Sequence, residues 1–106
     1  MNLAELRKAN VARQAEWDPN GTITLSYAGN ELAGETGEAC NIIKKLDRER
    51  QGLRGSRATP EQLAAELADV VICVDLIAMA LGLDLGAAVR AKFNATSEKY
   101  GLTVRL

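Results

Sequence analysis

Residues 59–82, TPEQLAAELADVVICVDLIAMALG, decide the fold. Thr59, Pro60 and Gln62 supply an N-cap, an N1 proline and a capping-box partner, so a helix opens here. Gly82 ends it. From Val70 onward, Val71, Ile72, Val74, Leu76, Ile77, Met79 and Leu81 surround the helix axis almost completely. A helix that is apolar all round needs neighbours on every side. Asp75 interrupts this run, which is in any case too short to cross a bilayer. A buried carboxylate without a partner is costly, so Asp75 calls for a donor, such as an arginine from another helix or subunit, and a structural role.

The rest of the chain supplies some of those neighbours. Asn2 and Glu5 form a capping box for a first helix that runs to about Trp17, where Asp18-Pro19-Asn20-Gly21 makes a turn. After a brief segment, Thr22 to Leu25, Ser26 is expected to cap a long second helix reaching about Gln51, with Gly52 as its stop. Residues 53–58 read as a loop. Asp84 is expected to cap a fourth helix ending near Gly101. The 106 residues therefore predict one domain, 1–106, an all-α bundle of about four helices per chain. The first helix is short and weakly patterned. Three other helices, one of them so weak, hardly cover the third, so the bundle is expected to be completed by homo-oligomerisation, as a homodimer or homotetramer.

Two helical stretches each carry two acids three residues apart: Glu35 and Glu38 in AGETGEA, Glu66 and Asp69 in AELADV. A three-residue step on a helix leaves side chains about 60° apart, so each pair projects from one face. Four converging carboxylates repel unless cations neutralise them. The chain contains no histidine, and its cysteines, Cys40 and Cys73, lie singly in apolar stretches, consistent with reduced core residues. Hard oxygen ligands alone suit Mg²⁺, or Mn²⁺, rather than Zn²⁺. Taken singly, each acid reads as an ordinary surface residue. The set, however, is flanked by Gly34 and Gly37 inside the second helix, each costing about 1 kcal/mol relative to alanine. Close helix packing and close approach of a bulky ligand explain that cost equally well.

The net charge is −1, which argues against binding polymeric nucleic acid, but the charge is uneven. Residues 44–57 hold six basic and two acidic side chains, a net of +4, leaving −5 elsewhere. The segment reads either as a solvated helix end or as a phosphate-attracting rim beside the acids. No hydrophobic signal region opens the sequence, so a cytoplasmic location and no membrane partner are expected.

Trp17-Asp18-Pro19, ELAGETGEA over 31–39, Ile43-Lys44-Lys45-Leu46, ELADV over 66–70 and Lys92-Phe93-Asn94 together resemble the MazG-like all-α nucleoside triphosphate pyrophosphohydrolases, over nearly the whole chain. Glu35 and Glu38 match that family's ExxE pair, Glu66 and Asp69 its ExxD pair. The sequence departs from the family where many members carry a further glutamate before the first motif acid; Gly34 stands there, and Glu31, one turn earlier, is the nearest substitute. The resemblance implies hydrolysis of nucleoside triphosphates, ribo or deoxy, to monophosphate and pyrophosphate. It also implies Mg²⁺ held by Glu35, Glu38, Glu66 and Asp69, with Glu35 or Glu38 orienting the attacking water. Lys45, nearly in line with Glu38 and about 10 Å further along the helix, is expected to reach a phosphate tail. Lys92 and Asn94 are candidates for phosphate, sugar or base contacts, and Trp17 or Tyr100 for stacking on a base. Phosphoribosyl-ATP pyrophosphatases resemble the same superfamily and are the enzymatic alternative. A non-catalytic helical dimerisation module is the alternative of another class.

Overall fold

The computed structural model describes residues 1–106 as four α-helices without strands: α1 Leu3–Trp17, α2 Leu25–Arg50, α3 Pro60–Ala80 and α4 Leu85–Lys99. The caps follow from side chains that local sequence places correctly. Asn2 Oδ1 accepts from Glu5 N at 2.8 Å, and Glu5 Oε2 accepts from Asn2 N at 3.2 Å. The same reciprocal pair joins Thr59 and Gln62 ahead of α3, and Asp84 Oδ1 accepts from Ala87 N at 3.0 Å at the start of α4. Each such cap contributes about 1 kcal/mol. The second helix starts earlier than its sequence suggests: Thr24, not Ser26, is the cap, its hydroxyl accepting from Tyr27 N at 3.1 Å. Ser26 lies inside the first turn.

Helix α2 packs along α3. Glu49 Oε1 accepts from Ala58 N at 2.7 Å, Glu35 meets Glu66, and Tyr27 shares a cleft with Leu76, so the two helices run antiparallel. The connecting loop is fastened to α2 from beneath: Arg48 Nη2 donates to Ser56 O at 3.3 Å, and any side chain at Gly55, whose φ is +147°, would collide with the Arg48 guanidinium. Two of the six basic residues of the 44–57 segment are thereby occupied structurally, because Arg50 also pairs with Asp47 at 2.8 Å.

Helix α1 lies on the back of α3 and is held by polar contacts. Asp75 is 1% exposed and receives Arg7 Nε at 3.1 Å, Arg7 Nη2 at 3.0 Å and Asn10 Nδ2 at 2.9 Å. The partner required for Asp75 is thus an arginine of the same chain. Arg7 Nη2 also donates to Leu83 O at 2.8 Å, tying α1 to the corner at which α4 leaves α3. That corner is made at Gly82, φ +66°, and turns the chain by 107°. In consequence α4 meets α1 rather than lying along α2 and α3.

Little apolar surface is enclosed. The only buried hydrophobic residues are Ala39, Ala58 and Ala78, and the two largest fully buried side chains are Asn10 and Asp75. No single helix is long and apolar enough to cross a membrane.

Candidate metal centre

Helix pairing brings three of the four acids together. One carboxylate oxygen from each of Glu35 and Glu38 on α2 and Glu66 on α3 lies within 4.8 Å of the others. That spacing is comparable to the span of two Mg–O bonds of about 2.1 Å each. Glu35 and Glu66 are half-buried and Glu38 is exposed. Glu35 Oε2 and Glu66 Oε2 are buried and accept no hydrogen bond. Buried carboxylate oxygens are normally satisfied, so two orphans on side chains of one tight acidic cluster identify a place where a cation fits.

The electrostatics agree. Burial first, then the charges of Glu38, Asp69 and Glu66, push the Glu35 carboxyl above the usual glutamate range. Burial and the neighbouring Glu38, then Asp69, do the same to Glu66. Glu35 and Glu66 each favour the neutral form more than a free glutamate does, first because they are poorly solvated and then because the other acids are near. Asp69 stands just outside the tight triad and lines the cleft beside it together with Glu31 and Glu35. The Cys73 thiol, also in that cleft, is pushed up by burial and by Glu35, Glu31 and Asp69.

The cleft has a volume of about 530 Å³ and runs between α1, α2 and α3. Its walls are Trp17, Ile23, Tyr27, Ile72, Leu76 and Met79, and its acidic end is Glu31, Glu35 and Asp69. Trp17 is held by Nε1 donating to Gln14 Oε1 at 2.9 Å and by the Arg13 guanidinium 4.7 Å from its ring centroid. Tyr27 stands across α2's outer edge, and Glu31, through its hydrogen bond and its charge, raises the pKa of the phenol. A shallower groove beside Tyr27 continues past Gly34 to Glu35 and Glu38. A Cβ added at Gly34 or Gly37 meets nothing within 4 Å, so no helix of this chain requires those glycines.

The remaining candidates are placed elsewhere. Lys45 is half-buried on α2 beyond Glu38, without a carboxylate partner, and does not line the cleft. Lys92 borders a separate apolar depression on α4 with Val89, Phe93 and Leu102. Asn94 holds the last residue, its Oδ1 accepting from Leu106 N at 2.7 Å. Tyr100 caps α4, away from the cleft, with Lys99 Nζ 5.4 Å from its ring centroid. Tyr27, Arg13 and Cys73 are cleft residues that sequence reasoning passed over. Tyr27 was legible, since it falls one turn before Glu31 on the acidic side of α2.

Asp18 organises the mouth of the cleft. Its carboxylate accepts from Thr22 Oγ1 at 2.7 Å, Thr22 N at 2.9 Å and Ile23 N at 3.0 Å, which holds its pKa below the usual aspartate range. The loop that carries Ile23 and Thr24 to the cleft wall is therefore folded around one side chain.

No protein-family profile matches the chain, and neither the curated proteins nor the solved structures contain a match to it.

Proposed function

We propose that the chain is a Mg²⁺-dependent nucleoside triphosphate pyrophosphohydrolase, with Mn²⁺ as an alternative ion, releasing monophosphate and pyrophosphate. The observation that carries the reading is the pair of orphaned, buried oxygens of Glu35 and Glu66 beside Glu38, at the end of an apolar cleft. The donor set is entirely carboxylate, which suits a hard divalent ion. Such an ion clamps a polyphosphate, neutralises charge growing on its oxygens and lowers the pKa of a water it holds.

The chain's own residues then have separable tasks. Glu35 and Glu66, fixed on two packed helices and poorly solvated, are the anchoring ligands. Glu38 is exposed to solvent and is the member able both to ligate and to orient the attacking water. Asp69 adds negative charge next to the triad and is the fourth ligand for a second or shifted ion. The cleft supports a nucleotide rather than inorganic polyphosphate as substrate: Trp17 and Tyr27 offer aromatic faces to a base, and Arg13 and Gln14 offer donors at its edge. A volume of about 530 Å³ suits a nucleoside.

The test is release of pyrophosphate and monophosphate from a panel of ribo-, deoxy- and base-modified nucleoside triphosphates and phosphoribosyl-ATP, with Mg²⁺ or Mn²⁺. Wild type is expected to turn over a nucleoside triphosphate, and Glu38→Gln to lose about 100-fold or more in kcat. No turnover on any substrate, with no stabilisation by either ion, rejects the enzyme in favour of a non-catalytic helical module.

A further inference from the structure

Glu35 stands between two openings. One is the apolar cleft, and the other is the shallower groove on the outer edge of α2, with a volume of about 310 Å³. Tyr27, Glu31 and Glu35 line both, whereas Asn30, Gly34 and Glu38 line the groove alone. Steps of three and four residues set Tyr27, Asn30, Glu31, Gly34 and Glu38 on one stripe of the helix. Gly34 is the gap in that row, about 6 Å along the axis from Glu38. A Cβ built on it meets nothing within 4 Å. The groove is open there because that position carries no side chain.

Glu38 is the exposed member of the triad and the one assigned to orient the attacking water, so the groove is the side from which a nucleophile arrives. One water takes up about 30 Å³ in the liquid, and the groove is far larger than a hydrolase needs for that purpose. Its size does not separate water from an alcohol, but its charge does select among acceptors. Glu31, Glu35 and Glu38 repel an anionic acceptor. An amine is drawn in by the same charges, yet it is protonated near neutrality and has no lone pair with which to attack. A neutral hydroxyl compound remains, and the Asn30 carboxamide, which both donates and accepts, suits a molecule with several hydroxyls.

We propose that the groove over Gly34 is an acceptor subsite for a small neutral polyol, so that the nucleotidyl group is passed to an alcohol hydroxyl as well as to water. The inference rests on the pyrophosphohydrolase reading and names a second substrate for the same site. The nucleoside lies in the cleft that ends at Glu35 and Asp69, so the first phosphorus beyond it is the one that meets the acids. The acceptor oxygen bonds to this α-phosphorus, and the bond from that phosphorus to the bridging oxygen breaks. Pyrophosphate leaves with the electron pair, and the hydroxyl proton passes to the Glu38 carboxylate. The second product is the nucleoside monophosphate esterified to the polyol. An acceptor held beside the phosphorus competes with bulk water through its high effective molarity.

The experiment incubates the full chain with Mg²⁺, the nucleoside triphosphate it consumes fastest and rising glycerol, and separates phosphodiester from phosphomonoester by phosphorus NMR. Wild type is expected to form the glycerol ester, its share of product rising with glycerol and then saturating. Gly34→Leu puts a side chain into the groove at a position where the helix accepts one, and should lower the ratio of ester to monophosphate about tenfold or more, whatever happens to their sum. Asn30→Ala should raise the glycerol concentration at half-saturation. Monophosphate alone at every glycerol concentration overturns the inference and leaves the hydrolase standing. An ester share that rises linearly and is indifferent to Gly34→Leu marks glycerol attacking from bulk solvent, and overturns it as well. No consumption of any nucleoside triphosphate removes both readings together.

Discussion

Asp75 is the side chain on which the inside of the molecule turns. It is 1% exposed, while the arginine beside it retains 24% of its side-chain surface. Removing one partner of such a pair leaves a charge stranded in a poorly solvated place, which costs about 3–5 kcal/mol when both partners are buried. Arg7→Ala is therefore expected to lose about 3 kcal/mol, the lower end because Arg7 is partly solvated, read as a shift in the denaturant midpoint. Glu35 and Glu66 set a pH dependence of the opposite character to Asp18. Both glutamates hold protons more tightly folded than unfolded, so their contribution is best below the usual glutamate range and is lost as pH rises through their raised values. Asp18 is depressed, so its contribution is present above the usual aspartate range and lost as pH falls through its lowered value. In EDTA, stability should fall from mildly acidic to neutral pH, and Mg²⁺ should abolish that fall. A flat profile in EDTA removes the electrostatic account of the triad.

At the scale of elements, the caps were legible because each is written within four residues: Asn2 with Glu5, Thr59 with Gln62, Asp84 ahead of Leu85. Ser26 misled because Thr24 offers the same chemistry two residues earlier, and what chooses between them is the loop geometry fixed by Asp18. That geometry depends on contacts four and five residues apart in an irregular segment, which no periodicity announces. Asp18→Ala should cost about 2 kcal/mol by abandoning three donors, Thr22 Oγ1 and N and Ile23 N. It should also raise KM more than it lowers kcat, because it loosens the cleft wall and leaves the acids in place. Equal losses in both would move Asp18's influence onto the triad itself. The acids were legible for the same reason as the caps, since a three-residue spacing survives any helix packing. Their convergence depended on how α2 lies against α3, and that contact gathers Glu35, Glu38 and Glu66 with Asp69 outside the tight group.

On the scale of the molecule, the apolar girth of α3 raised the question of what covers it, and within one chain Leu67 and Val71 on α3 remain 48 and 43% exposed. What the sequence did not reveal was the course of α4. Its apolar positions, Val89 and Phe93, are compatible with packing along α2 or with leaving the bundle, and the choice is made by the Gly82 corner and by Arg7. With α4 turned away, Lys92 and Asn94 stand apart from the acids of their own chain.

The Arg7 contacts reach 68 residues along the chain to Asp75 and 76 to Leu83. Closing loops of that length is entropically expensive and comes after the short-range α2–α3 hairpin has formed. Arg7 is therefore among the last residues to find its place. The clasp that sets α4's direction is thus absent while the chain is still climbing its folding barrier. Weakening it should leave the refolding rate nearly unchanged and hasten unfolding instead, so this single guanidinium governs how long the native state lasts more than how quickly it is reached.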